Sequence, residues 1–266
     1  MHLKKCGGTT INRWLATSGL KTLNDTDAEG KLLTTLGDQG LLQRWLDLAF
    51  DDADIVATHL PVRAHVPAGT FCFTVLRQPR QRILSQVSDW RREASNHTEA
   101  TLPAMFHLYV FGARDLGLGE YLSAQRTSGL SFLFDNHMTR FLAAEFFPAE
   151  AWQKGPAAAL LPRAIEALEE RYHLVGTTDD IPAVQQALAE VLVDPPPGEP
   201  GAAASENVSR SERLGAEVDS GVAAILDELC ECDDVLFDHA RRINRRRRLR
   251  RMFSWPRRLG PALGRS

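Results

Sequence analysis

The sequence predicts an α/β fold in which a central parallel sheet is flanked by helices. Short apolar, β-branched runs alternate with stretches whose apolar residues recur at helical spacing. Two of those runs pass through a glycine- or proline-marked turn directly into a helix. Strands separated by helices form parallel sheets with right-handed crossovers, and ligands gather at the strand C-terminal ends.

Near the N-terminus a short strand precedes Gly7-Gly8, and Ile11, Trp14 and Leu15 then mark the buried face of a helix that runs to about Gly19. Residues 20–40 are turn-rich, and Leu41–Phe50 reads as a helix. Asp54–His59 reads as a short strand stopped by Pro61. Phe71–Leu76 is the strongest strand, set between Gly69 and Pro79, and Pro79 pre-sets the first turn of the next helix. Ile83, Leu84 and Val87 give that helix its buried face. Helices are expected over residues 80–95, 103–113, 118–127 and 133–146, and over Ala157–Arg171. Tyr172–Val175 is a strand, Ile181–Val193 a helix, Pro195–Gly201 an irregular loop, and residues 211–250 are mostly helical. No internal repeat is visible.

Both strand–turn–helix junctions carry the chemistry of anion binding. The first N–H groups of a helix have no intrahelical partner, and the dipole there is positive. At the first junction, Gly7 and Gly8 allow close main-chain approach, Thr9 and Thr10 add hydroxyls, and Lys5 adds a mobile charge. At the second, Arg77 ends a strand and Ser85 lies on the next helix, a fork and a hydroxyl suited to phosphate. Two such sites imply a ligand with two separated phosphate-like groups. The lysine precedes the glycines, whereas a Walker A loop places it after them, which argues against an ordinary ATPase or kinase.

These motifs together resemble the sulfotransferase superfamily, and most of all the heparan sulfate 2-O-sulfotransferase-like carbohydrate sulfotransferases and their bacterial relatives. The resemblance extends to Asp135–Leu142, Leu174–Thr178, Glu206–Ser209 and Asp234–Phe237, and is thin over residues 20–50 and 93–130. It implies a P-loop-like three-layer fold and the donor 3′-phosphoadenosine 5′-phosphosulfate (PAPS). It further implies that Lys5, Cys6, Gly7, Gly8, Thr9 and Thr10 hold the 5′-phosphosulfate, and that Arg77 and Ser85 hold the 3′-phosphate. No metal is implied.

Sulfuryl transfer needs a base for the acceptor hydroxyl and a cation for the leaving oxygen. Lys5 is the natural cation. His59, at a predicted strand end, is the candidate base, and the resembling enzymes place a histidine in a comparable segment. His65 is its rival, and Asp135 the next candidate. Arg140 and Asn136, in a polar cluster with Asp135 and His137, are candidates for binding the acceptor; the bland alternative is a capped helix start with a surface arginine. Asn207 and Ser209 read more simply as caps.

The chain has 266 residues, and 44% of them are hydrophobic, an ordinary figure for a globular protein. Its organisation reads as a 1–240 sulfotransferase domain followed by a 241–266 arginine-rich tail. From Arg241 onward there are eleven arginines and no acidic residue, so a net charge of −3 conceals a body at −14. A basic tail of this kind fits an anionic membrane or polyanion. The four cysteines form neither a disulfide framework nor a zinc motif. No leader pattern and no apolar run of transmembrane length is present, so the expected setting is cytoplasmic, peripheral at the inner membrane face. The acceptor expected is a hydroxyl of a carbohydrate or glycoconjugate. The rival readings are a P-loop-like kinase and a non-catalytic polyanion- or membrane-binding protein.

Overall fold

The computed structural model describes residues 3, 6–24, 51–58, 66–67, 69–147, 149–192 and 214–251. The fold is mixed α/β. In chain order the described helices are α1 (Gly8–Leu15), α2 (Pro79–Glu93), α3 (His107–Asp115), α4 (Leu118–Arg126), α5 (His137–Ala143), α6 (Ala149–Lys154), α7 (Ala157–Glu166), α8 (Ile181–Ala189) and α9 (Ser220–Arg251). The strands are β1 (Thr22–Asn24), β2 (Ile55–Ala57), β3 (Phe73–Leu76) and β4 (Leu174–Thr177). The chain divides into two units, one made of Met1–Leu76, Leu168–Ala204 and His239–Ser266, the other of Arg77–Ala167 and Ser205–Asp238.

The first unit holds these four strands in two parallel pairs. β1 runs beside β2 with Thr22 opposite Ile55, and β3 beside β4 with Phe73 opposite Leu174 and Leu76 opposite Thr177. Parallel pairing is what strands interrupted by helices impose. Its core joins Ile11, Trp14 and Leu15 of α1, Val75 of β3, Leu174 of β4, and Val184, Ala187 and Leu188 of α8. The β3–β4 ladder is continued backwards by His173, whose N–H donates to the Cys72 carbonyl at 2.8 Å while its Nδ1 accepts from the Cys72 N–H at 3.1 Å.

Every residue of β4 is buried, and its glycine has a reason. A Cβ on Gly176 would overlap Val184 Cγ2 and stand 3.2 Å from Val75 Cγ2. The missing side chain is what lets α8 lie against the strand. α8 is started by Asp180, whose Oδ1 accepts from the Ala183 N–H at 3.3 Å.

The second unit is helical among the described residues. Ile83 and Val87 of α2, Tyr109 and Ala113 of α3, Leu118, Tyr121 and Leu122 of α4, and Val222, Leu226 and Leu229 of α9 share one core. Around its rim Arg91 forks onto Glu217 at 2.7 and 3.0 Å, and Arg80 pairs with Asp227. Exposed pairs of this kind fix geometry more than they stabilise.

Three expectations change. The single helix expected over residues 133–146 is broken: a 3₁₀ turn at Ser131–Leu133 and a left-handed Asn136 precede α5, and a second 3₁₀ turn, Ala144–Phe146, comes after it. The strand expected at Tyr172–Val175 runs instead from Leu174 to Thr177. The turn-rich stretch after residue 20 contains β1, three residues whose pairing is with a distant segment and leaves no local pattern. The first expected strand, the Leu41–Phe50 helix and the Pro195–Gly201 loop lie wholly or mostly outside the described residues.

Gly176→Ala should destabilise the chain by about 1–3 kcal/mol, the usual cost of overpacking. Val184→Ala in the same chain should recover part of that loss. Urea denaturation of the two variants and their combination checks it: strictly additive losses would mean that Gly176 and Val184 do not compete for the same space.

Candidate functional site

The Gly-Gly turn is formed as its chemistry requires. Gly7 has φ 80° and ψ 5°, the left-handed conformation that a Cβ disfavours, and it stands at the N-cap of α1. Its carbonyl accepts from the Ile11 N–H at 3.2 Å, so the helix begins immediately after it. No acidic residue lies in the first turn of α1 to oppose a bound anion. A Cβ on Gly7 would stand 3.1 Å from Ile181 Cδ1 and 3.2 Å from Thr178 Cγ2. The turn therefore nestles beside the segment that continues from β4, at the C-terminal end of the β3–β4 pair. Gly8 is buried and Thr10 half-buried. Cys6 is fully buried, so what this position can offer a ligand is main chain, not thiol.

The second junction departs from a bare helix N-terminus. Arg77 comes directly after β3 and is half-buried. Gln78 is the N-cap of α2, and its Oε1 accepts from the Gln81 N–H at 2.7 Å. Pro79 has no N–H, and the Arg82 N–H donates to the Gln78 carbonyl at 2.9 Å. The helix end is thus mostly satisfied from within, and anion binding here falls to side chains. Ser85 lies on the buried face of α2.

Asn136 and Arg140 were expected to face an acceptor, but both are turned into the second unit. Asn136, in the left-handed conformation at φ 46°, accepts through Oδ1 from the N–H groups of Cys232 at 2.7 Å and Asp233 at 3.1 Å, while its own N–H donates to the Leu229 carbonyl at 2.7 Å. Arg140 is 4% exposed, so it is not a surface arginine either. Its guanidinium pairs with the Asp135 carboxylate and donates to the carbonyls of Asp135 at 2.8 Å, Trp152 at 3.0 Å and Gly155 at 2.7 Å. Polar groups at this depth are held because they are hydrogen-bonded.

The residue that completes this cluster is Asp233, 1% exposed on α9. Its Oδ1 accepts from the Thr139 N–H at 2.7 Å and its Oδ2 from the Met138 N–H at 3.1 Å. These are the donors that an N-cap side chain normally satisfies. Burial pushes the Asp233 carboxyl up, opposed by the charge of Arg82 and by the two N–H groups. Arg82 is itself 1% exposed and donates to the Leu133 carbonyl at 2.9 Å. Sequence reasoning passed over both. The available signal was register: Asp233 falls in the stripe of Leu226, Leu229, Leu236 and Phe237, and Arg82 adjoins Ile83, so each is a charge on an apolar face.

Lys5, His59 and His65 lie outside the described residues, as do Asn207 and Ser209. Thr58, which precedes His59 at the end of β2, is buried. Burial pushes the thiols of Cys230 and Cys232 up, the latter to about 11, so neither is a nucleophile near neutrality. Among the described residues no cluster of His, Cys, Asp and Glu is arranged for a metal, and no helix is long and apolar enough to cross a membrane. Comparison with protein-family models, curated proteins and solved structures finds no match.

Asp233→Asn keeps the shape but leaves one acceptor for two N–H donors. It should destabilise the chain by roughly 1–3 kcal/mol, the cost of an unsatisfied buried group. A urea midpoint at or above that of the parent would show that the carboxylate is not what holds the start of α5.

Proposed function

We propose that the chain is a sulfotransferase that moves a sulfuryl group from PAPS to a hydroxyl of a carbohydrate or glycoconjugate. The observation that carries this reading is the left-handed Gly7 turn, which opens α1 beside the end of β4, while the parallel partner β3 ends directly before Arg77. On this reading the two parallel pairs belong to one central sheet flanked by helices, a P-loop-like three-layer arrangement. The left-handed Gly7 packs its own side against Ile181 and Thr178, and on this reading the N–H groups that follow it at the start of α1 receive the 5′-phosphosulfate. The half-buried Arg77 and the hydroxyl of Ser85 fit the 3′-phosphate.

When bound, PAPS supplies a sulfuryl group joined to a good leaving phosphate. The chain's part is to hold, orient and move charge. The N–H groups after Gly7 and the hydroxyls of Thr9 and Thr10 bind sulfate and phosphate oxygens. Lys5 takes up the negative charge that grows on the bridging oxygen as the S–O bond breaks. His59 accepts the proton of the acceptor hydroxyl as its oxygen bonds to sulfur. His65 is the alternative base.

Adenosine 3′,5′-bisphosphate should raise the melting temperature, since a ligand of the native state stabilises by about 2.7 kcal/mol at a hundred times its Kd. ATP should do so less. Arg77→Ala should weaken the bisphosphate by roughly 1.5–3 kcal/mol and adenosine 5′-phosphate much less. Calorimetry showing no binding, or equal losses for both nucleotides, would defeat the respective assignment.

With a sulfur-labelled donor and a panel of sugars, Lys5→Ala should lose most turnover with a smaller loss of binding. His59→Ala should lower turnover about 10²–10⁴-fold and leave bisphosphate binding nearly unchanged. A collapse in His65→Ala with a near-normal His59→Ala would transfer the role. Activity should survive EDTA; loss on chelation and rescue by Mg²⁺ would favour the kinase.

A further inference from the structure

Glycine takes the left-handed conformation readily, but it takes others as readily, so nothing in Gly7 itself selects the state that opens α1. The selection comes from a distant part of the chain. Thr178 is the first residue after β4, and Ile181 is the first of α8. Their methyl carbons, Thr178 Cγ2 and Ile181 Cδ1, stand 3.2 and 3.1 Å from the point where a Cβ on Gly7 would lie. They pack against the bare side of Gly7, and a turn that rotated would meet them or leave them uncovered.

Ile181 is itself held in place. Asp180 caps α8 through the Ala183 N–H at 3.3 Å, Pro182 fixes the backbone of its first turn, and Val184 closes onto Gly176. Ile181 is half-buried and also packs on the core that Ile11, Trp14 and Leu15 of α1 share with Val184, Ala187 and Leu188. One side chain thus touches both the turn and the core beneath the helix that the turn opens. The N–H groups of Gly8, Thr9 and Thr10 precede the first intrahelical bond of α1, which runs from the Ile11 N–H to the Gly7 carbonyl at 3.2 Å. Their direction follows from the dihedrals of Gly7. A site built of main-chain donors gains affinity from being formed in advance, since a conformation populated only in part weakens its ligand by that fraction.

We propose that Ile181 is a positioning residue for the donor's 5′-phosphosulfate. It acts through Gly7, holding the turn in its left-handed state so that the first N–H groups of α1 are aimed before the ligand arrives. The identity of the anion rests on the sulfotransferase reading; the bracing of the turn does not.

The test uses the full chain and three variants. Ile181→Val deletes the contacting Cδ1 and little else, while Ile181→Leu keeps a δ-methyl group. Leu188→Val thins the same core about two turns further along α8 and measures general loosening. Hydrogen exchange at the Ile11 N–H should quicken about tenfold in Ile181→Val and return towards the parent rate in Ile181→Leu. By calorimetry the Kd for adenosine 3′,5′-bisphosphate should rise about three- to tenfold in Ile181→Val and stay near the parent value in Ile181→Leu. Leu188→Val should lower the melting temperature at least as much as Ile181→Val, yet leave the Kd and the Ile11 exchange near those of the parent. Unchanged exchange at Ile11 in Ile181→Val would overturn the proposal. So would quickened exchange with an unchanged Kd, or a Kd raised equally by Leu188→Val. A parent chain that binds no bisphosphate would overturn the sulfotransferase reading instead, and the exchange at Ile11 would still decide whether Ile181 holds the turn.

Discussion

The arrangement of the second unit depends on an exchange between two chain segments almost a hundred residues apart in sequence. Asn136 occupies the N-cap of α5, yet its side chain serves α9, accepting from Cys232 and Asp233. Asp233 returns the service to the first turn of α5. A cap usually closes a helix end locally. Here each helix is closed or braced by the other, so neither can slide or rotate without exposing buried donors. Such groups are costly to leave unpaired, which makes the exchange a constraint on register. Arg82 and Arg140 extend it by tying the chain before and after α5 through main-chain carbonyls.

The same exchange explains why a motif that reads as a binding site is structural. Aspartate, asparagine, histidine and arginine within six residues form the inventory of an active site. A sequence states which groups are present and leaves open which way they turn. Arg140 sits among Met138, Phe141 and Leu142, and its surroundings bury it. A buried arginine with carbonyls on several sides is a cross-link, with little left to offer a substrate.

The Gly-Gly turn was legible because its cause is local. A left-handed residue before a helix favours glycine, and the apolar spacing after it announces the helix. Phe73–Leu76 and the proline start of α2 were legible for the same reason. β1 was not, because three residues acquire strand geometry only from a partner far along the chain. The break at Asn136 was hidden because asparagine reads equally as a cap or a helix interior until the residue that needs its side chain is known. Asp233 and Arg82 carry no local motif, and only their register with an apolar stripe marks them as buried.

The pairing of β3 with β4 also has a temporal side. His173 meets Cys72 across a separation of 101 residues, and β4 completes the pair. A chain emerging from the ribosome therefore presents Phe71–Leu76, apolar and β-branched, long before its partner exists. The Gly-Gly turn is older still in synthesis, yet the residues it nestles against, Thr178 and Ile181, come later again. Long-range parallel pairing forms slowly, and an unpaired strand edge invites other chains. During that interval the helices from α2 to α7 can form, but the core they share waits for Val222, Leu226 and Leu229 of α9, which emerge later still. The order of translation thus leaves the glycine turn unsupported until Ile181 has emerged, and the exchange between α5 and α9 incomplete until Asp233 follows it.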